Sequence, residues 1–173
     1  MRRIADRAPR RLEAGTVGSK LKEEIRQTKP FSGPQQEALL NIQRTASRLQ
    51  HRFQQTLKVY DLTEPQYNVL RILRGAGPEG LRCSEIGERM ISHDPDITRL
   101  LTRLQRLRLI ERRRDMIDRR VIHSRISAEG LKRLKELDPL VDETSKSLLG
   151  HMCPERLGRL IDLLEEVRQG LAD

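Results

Sequence analysis

The segment from Asp94 to Ile126, DPDITRLLTRLQRLRLIERRRDMIDRRVIHSRI, constrains the fold more than any other part of the chain. Ile97, Leu100, Leu101 and Leu104 recur at steps of three and four, and the stem of Arg108 falls on the same side. At about 100° per residue, Arg99, Thr102, Arg103 and Arg106 lie on the opposite face, so the pattern predicts an amphipathic helix with a basic stripe. Asp94 as N-cap and Pro95 in the first turn start it. Two short runs follow, Leu109 to Arg114 and Val121 to Ile126, rich in β-branched or extended-tolerant residues and separated by Asp115-Met-Ile-Asp118, which predicts a hairpin.

The charge of this segment says what it would meet. Ile97 to Ile126 holds ten arginines against Glu111, Asp115 and Asp118, a local net charge of +7 within a chain whose total is +9. Residues 1–33 are also basic, residues 34–96 are balanced, and residues 127–173 are acidic. A polyanion would therefore meet a basic middle and a basic N-terminal arm. A solvated helix face usually mixes both signs. Here arginine is concentrated on one helix face and one hairpin, the arrangement that lets a helix enter a major groove and a basic hairpin lie in the adjoining minor groove. Asp118 and Arg120 are i, i+2 neighbours on one side of an extended strand. The spacing leaves two roles open for the acid: orienting the guanidinium, or capping the turn.

The rest of the chain reads as helices around this segment. Residues 1–18 mix arginine, proline and glycine without periodicity and form a basic arm, and Ser19 to Lys29 adds a short helix capped by Ser19 and ended by Lys29-Pro30. From Pro34 to about Leu57, apolar groups at 38, 39, 42, 46, 49, 53 and 57 mark a long amphipathic helix. Thr63 caps a second, with Pro65 in its first turn, and Gly75-Ala-Gly-Pro stops it. Ser84 caps a short third helix. Ser127 caps a helix carrying Leu131, Leu134, Leu137, Leu140, Val141, Leu148 and Leu149 and containing Pro139. Cys153-Pro154 opens the last, with Leu157, Leu160, Ile161, Leu164, Val167 and Leu171. These two leucine-striped helices have no further domain to cover, so their stripes are expected to bury against a second copy of the chain.

Several function classes are disfavoured. No run approaches the roughly 20 apolar residues of a membrane span, and Met1 to Lys20 carries charges where a signal peptide has its apolar segment, so a cytoplasmic protein is expected. No Ser/His/Asp set, glycine-rich phosphate loop or metal cluster marks an enzyme, and no cofactor or metal is implied. His51, His93, His123 and His151 are scattered without ligand spacing. Cys83 and Cys153 form no CxxC pair and read as reduced thiols; either could sense oxidants if its thiolate were stabilised, and Cys83 sits just before a predicted helix N-terminus, where the dipole lowers a thiol pKa.

These motifs together resemble the MarR family of winged-helix transcriptional regulators. The resemblance runs from about Gln35 to Leu171 and is carried by LTEPQYNVLRIL at 62–73, SEIGERM at 84–90, DITRLLTRLQRLRLIERRRD at 96–115, DRR at 118–120 and ISAEGLKRL at 126–134. It implies a mainly α (α+β) fold: a winged helix-turn-helix over residues 61–126, flanked by dimerisation helices over 34–60 and 127–173, with residues 1–33 as an arm. It implies a homodimer on an inverted-repeat operator in double-stranded DNA, acting as a transcription regulator and most often a repressor. By position, Pro95, Thr98, Arg99, Thr102, Arg103 and Arg106 belong to the recognition helix. Asp118 and Arg120 form the wing pair, with Arg120 entering the minor groove and Arg119 on phosphate. Family members often bind small aromatic or phenolic anions between their DNA-binding and dimerisation regions, which releases DNA. Here Phe53, Tyr60 and Tyr67 are the aromatic residues available, and core packing is the expected role of each. An architectural DNA-binding protein of low sequence preference is the alternative reading.

Overall fold

The structure is a computed structural model that describes residues 19–92, 96–116 and 118–171. The basic arm, the expected cap Asp94 and Pro95 lie outside the described residues. The chain divides into two compact units, residues 1–47 and 48–173.

In the first unit, helix α1 (Ser19–Glu24) buries Leu21. It ends at Glu24 rather than Lys29 because Arg26 turns into the left-handed region at φ 53°, where the Gln27 N–H closes the helix on the Lys22 carbonyl at 2.9 Å. Helix α2 (Pro34–Lys58) begins in this unit. The Gln36 Oε1 accepts from the Ser32 backbone N–H at 2.8 Å, fixing the entry to the helix. Leu39 and Ile42, expected on a buried stripe, are 55% and 37% exposed.

The second unit contains the core. Helix α3 (Glu64–Ala76) starts at a reciprocal capping box: the Thr63 hydroxyl accepts the Gln66 N–H, and Gln66 Oε1 accepts the Thr63 N–H at 3.0 Å. Gln54 on α2 reinforces this start, donating to the Leu62 carbonyl at 2.9 Å and accepting the Glu64 N–H at 3.1 Å. Tyr67, Val69, Leu70 and Leu73 are buried, while Ile72 is half-buried. Gly77, at φ 75°, ends the helix.

A strand that the sequence pattern did not show follows. β1 (Leu81–Arg82) is two residues long, too short to reveal an alternation, and pairs with β3. Gly80 makes this pairing possible, since it adopts φ 73° and a Cβ there would collide with the Ser124 carbonyl. Helix α4 (Cys83–Glu88) begins at Cys83, one residue before the expected cap Ser84, and the Arg82 N–H is satisfied by the Glu85 carboxylate at 2.8 Å. Ile86 is buried and Met90 half-buried.

Helix α5 (Ile97–Arg106) leads into β2 (Ile110–Arg114), and β3 (Ile122–Ile126) returns antiparallel with Arg112 opposite Ser124. The three-stranded sheet has the order β1-β3-β2. Helix α6 (Ala128–Leu149) runs through Pro139, and α7 (Pro154–Gln169) follows. Ser127 ties α6 to the end of α5: its hydroxyl donates to the Arg108 carbonyl at 2.7 Å and accepts the Gly130 N–H at 3.0 Å. A side chain at Gly130 would strike the Leu109 carbonyl, so glycine permits the close approach.

One aliphatic cluster joins these elements, with Leu57 of α2, Leu70 and Leu73 of α3, Ile86 of α4, Leu101 and Leu104 of α5, and Leu134 and Leu137 of α6 each 0% exposed. Burying each such side chain contributes about 1.5 to 3 kcal/mol. The expected leucine stripe of α6 is divided: Leu134 and Leu137 face the core, whereas Leu131 is 45% exposed. Helix α7 has no buried residue at all. Among the described residues no helix is long and apolar enough to cross a membrane.

Candidate nucleic-acid interface

Helix α5 is held from below and capped from its own sequence. Leu101 and Leu104 anchor one face in the core. Asp96, rather than Asp94, is the N-cap, its Oδ1 accepting the Arg99 N–H at 2.9 Å. The DPD run contains two acids able to cap, and the one nearer the apolar periodicity does so.

The opposite face of α5 is polar and open. Thr98, Arg99, Arg103 and Arg106 are exposed. Thr102 is half-buried and its hydroxyl donates to the Thr98 carbonyl at 2.8 Å, which leaves its methyl and the hydroxyl lone pairs to face outward contacts. Arg108 does not lie on the buried side as its spacing suggested. The helix ends first, and Arg108 takes φ 59°, with the Leu109 N–H bonded back to the Leu104 carbonyl at 3.0 Å. The exposed Arg108 therefore continues the basic surface toward β2. Cys83 is half-buried at the start of α4, with its Sγ 3.9 Å from the Thr98 hydroxyl.

The hairpin of β2 and β3 carries the second set of arginines. Cross-strand pairing sets Glu111 opposite Arg125, and the guanidinium donates twice to Glu111 Oε2, at 3.0 and 2.6 Å. That hydrogen bond, with the positive charge behind it, holds the Glu111 carboxyl below its ordinary value. His123 Nε2 lies 3.5 Å from Asp115 Oδ2.

The loop between the strands is closed by its own aspartates. Asp115 Oδ1 accepts the Asp118 N–H at 3.0 Å, and Asp118 Oδ1 accepts the Arg120 N–H at 3.0 Å. The Asp115 N–H donates to the Val121 carbonyl, and the Val121 N–H to the Asp118 carbonyl, both at 2.9 Å. Of the two roles open to Asp118, this geometry displays turn capping: the carboxylate holds the Arg120 backbone, and the Arg119 and Arg120 side chains stand exposed.

The sequence-derived residues thus fall into two groups, Thr98, Arg99, Thr102, Arg103 and Arg106 on one helix and Asp118, Arg119 and Arg120 in one loop, while Pro95 lies outside the described residues. Arg108 was missed because a helical count carried it one turn too far.

A second feature sits between the last turns of α2 and the start of α3. A cleft of about 350 Å³ is lined by residues that include Gln50, Phe53, Glu64, Tyr67, Asn68 and Arg71. Phe53 and Tyr67 meet edge to face at 5.8 Å, and the Arg71 guanidinium lies 5.9 Å from the Tyr67 ring centre. Burial raises the Glu64 carboxyl above its ordinary value. Tyr67 serves both core and cleft, being 4% exposed, whereas Tyr60 stacks under Arg133 at 5.6 Å away from the cleft lining. Among the described residues no group of three or more side chains is placed to hold a metal ion.

Comparison with known proteins agrees with this geometry. A profile of the MarR family matches residues 62–122, which span α3 to the start of β3. The chain is 37% identical to a MarR transcription factor from Planctomyces limnophilus, whose crystal structure superposes with a TM-score of 0.62 over 79% of this chain and 98% of that one. The fold is also that of Bordetella bronchiseptica BpsR, a protein whose DNA binding is regulated by 6-hydroxynicotinic acid, with 23% identity, a TM-score of 0.71, and coverage of 84% of this chain and 100% of that one. Among curated proteins, the homoprotocatechuate degradative operon repressor of Escherichia coli is 26% identical over 114 residues, 66% of this chain and 76% of that protein. With a winged helix whose α5 and wing loop both present arginine, and with this degree of identity along most of its length, the chain belongs to the MarR family of transcription regulators.

Proposed function

We propose that the protein is a homodimeric, sequence-specific repressor that binds an inverted-repeat operator and is released by a small aromatic or phenolic effector. The observation that carries the reading is the pairing of an exposed polar face on α5 with an arginine-bearing wing loop on one rigid core. On this reading Thr98, Arg99, Thr102 and Arg103 face base edges in the major groove, with Pro95 at the helix start and Arg106 on phosphate. Arg120 enters the minor groove, positioned by Asp118, and Arg119 contacts phosphate.

Dimerisation is supported by what each unit leaves uncovered. Leu39 and Ile42 on α2, and Ile161, Leu163 and Val167 on α7, are between 37% and 60% exposed in the single chain. Apolar stripes of this kind on helices need a partner, and a second copy supplies the matching stripe. Residues 34–60 and 127–173 are assigned to this interface and residues 61–126 to DNA. Effector release is supported by the cleft beside Phe53 and Tyr67, whose volume suits a single-ring ligand and whose Arg71 offers a counter-charge to an anion. A ligand that prefers the non-binding spacing of the two recognition helices weakens operator affinity by its differential binding. Such a regulator works in the cytoplasm, beside its operator.

The test is footprinting on the DNA adjoining the gene, with sedimentation in parallel. Protection of two half-sites about one helical turn apart, by a species of twice the 20.1 kDa chain mass, is expected. Uniform protection without half-sites would instead favour an architectural binder, and a monomer at micromolar concentration would overturn both readings.

A further inference from the structure

We propose that Met116 is an apolar wedge that the wing inserts into the minor groove at a deformable base step, an inference that rests on the DNA-binding reading above. Met116 is 98% exposed, more than any other large apolar side chain among the described residues. It stands in the loop between β2 and β3, two residues after Arg114 at the end of the Arg112–Arg114 run and shortly before Arg119 and Arg120, and its sequence neighbour Ile117 is apolar too. A lone exposed apolar group on a mixed surface calls for no explanation. Met116 instead stands in the wing loop between Arg112–Arg114 and Arg119–Arg120, where it presents hydrocarbon amid charge that would repel a cationic partner and attract a polyanion.

The loop's internal bonds fix what is presented. Both flanking aspartates turn their carboxylates onto loop N–H groups, Asp115 onto Asp118 and Asp118 onto Arg120. The acids are thereby engaged with the turn, and Met116 projects from it as an unbranched side chain able to adapt to a narrow slot. The minor groove of duplex DNA offers such a slot: apolar sugar walls between two rows of phosphate, and pyrimidine–purine steps that unstack at low cost when an apolar side chain enters. Arg119 holds a phosphate and Arg120 lies in the same groove, while Met116 reads deformability. Its contribution carries no charge, so it is independent of salt, unlike that of Arg119 or Arg120.

The experiment uses the full-length chain and a duplex selected by that protein from a random-sequence pool, end-labelled to report bending by energy transfer. Met116→Ser is expected to weaken binding on the order of tenfold, to reduce the bend, and to leave the salt slope of affinity unchanged. Met116→Leu should behave as the parent does, and replacing TA or CA steps in the duplex by an A-tract should remove the difference between the parent and Met116→Ser. Parent-like affinity and bend in Met116→Ser would overturn the wedge while leaving DNA binding intact. Failure of the parent to select any duplex would overturn the DNA-binding reading and the wedge with it.

Discussion

Arg74 Nη1 lies 2.6 Å from Asp138 Oδ2, joining α3 of the winged core to α6. Both side chains are more than a third exposed, at 38% and 40%. In that setting water screens most of the attraction, and the pair is worth about 0 to 1 kcal/mol to stability. Its consequence is local, since it is a single polar tie between the two helices. Arg74→Ala, Asp138→Asn and the double variant should therefore unfold within about 1 kcal/mol of the parent. Operator affinity should fall by a similar amount in each single variant and no further in the double. Additive losses in binding would show that the two residues act separately.

The wing and the recognition helix should fail in different ways. Arg120→Ala is expected to cost about 1 to 3 kcal/mol of operator binding. Arg106→Ala should lower affinity evenly for operator and random duplex and reduce the salt slope by about one unit. Equal operator affinity for Arg120→Ala and the parent would remove Arg120 from the interface.

Leu104 is 0% exposed beneath the basic face of α5, so its loss opens a cavity under the recognition helix. Leu104→Ala should destabilise the fold by about 2 to 5 kcal/mol in urea titration. Leu131→Ala, at a position 45% exposed in the single chain, should cost the isolated fold far less. A Leu104→Ala variant as stable as the parent would contradict the packing of α5.

Glu111 provides a pH-dependent element in the wing. The Arg125 hydrogen bond and charge lower its carboxyl below the ordinary 4.5, so the folded wing favours the ionised form. The resulting stabilisation is present above the unfolded value and is lost as pH falls through the lower folded value. A carbon-detected titration should place the Glu111 midpoint below 4.5 in the parent and return it toward 4.5 in Arg125→Ala. The same midpoint in both proteins would separate the two residues.

Much of this architecture was readable from local chemistry. Thr63 and Ser127 are caps with their partners at fixed offsets, and both helix starts follow. The period of α5 located the helix because one of its faces must be buried, and the extended-tolerant runs on either side of the Asp115 to Asp118 turn located the hairpin. What stayed hidden depended on contacts distant in sequence. β1 exists through its pairing with Ser124 and His123, and no pattern within two residues could announce it. Asp96 displaced Asp94 because helix geometry decides between competing caps. Arg108 left the helix because the Leu109 N–H bonds back to the Leu104 carbonyl, so a uniform 100° count failed at that turn. In the candidate interface, the residue types were legible from charge, while the inward-turned aspartates that leave Arg119, Arg120 and Met116 outermost required the loop itself.

The most direct test of the central claim is the affinity of the purified protein for the intergenic duplex beside its gene, measured against random duplex of equal length across a salt series. The account predicts a preference of about 10³-fold or more at physiological salt, with a steep salt slope for both duplexes. Equal affinity for the two at every salt concentration would contradict it.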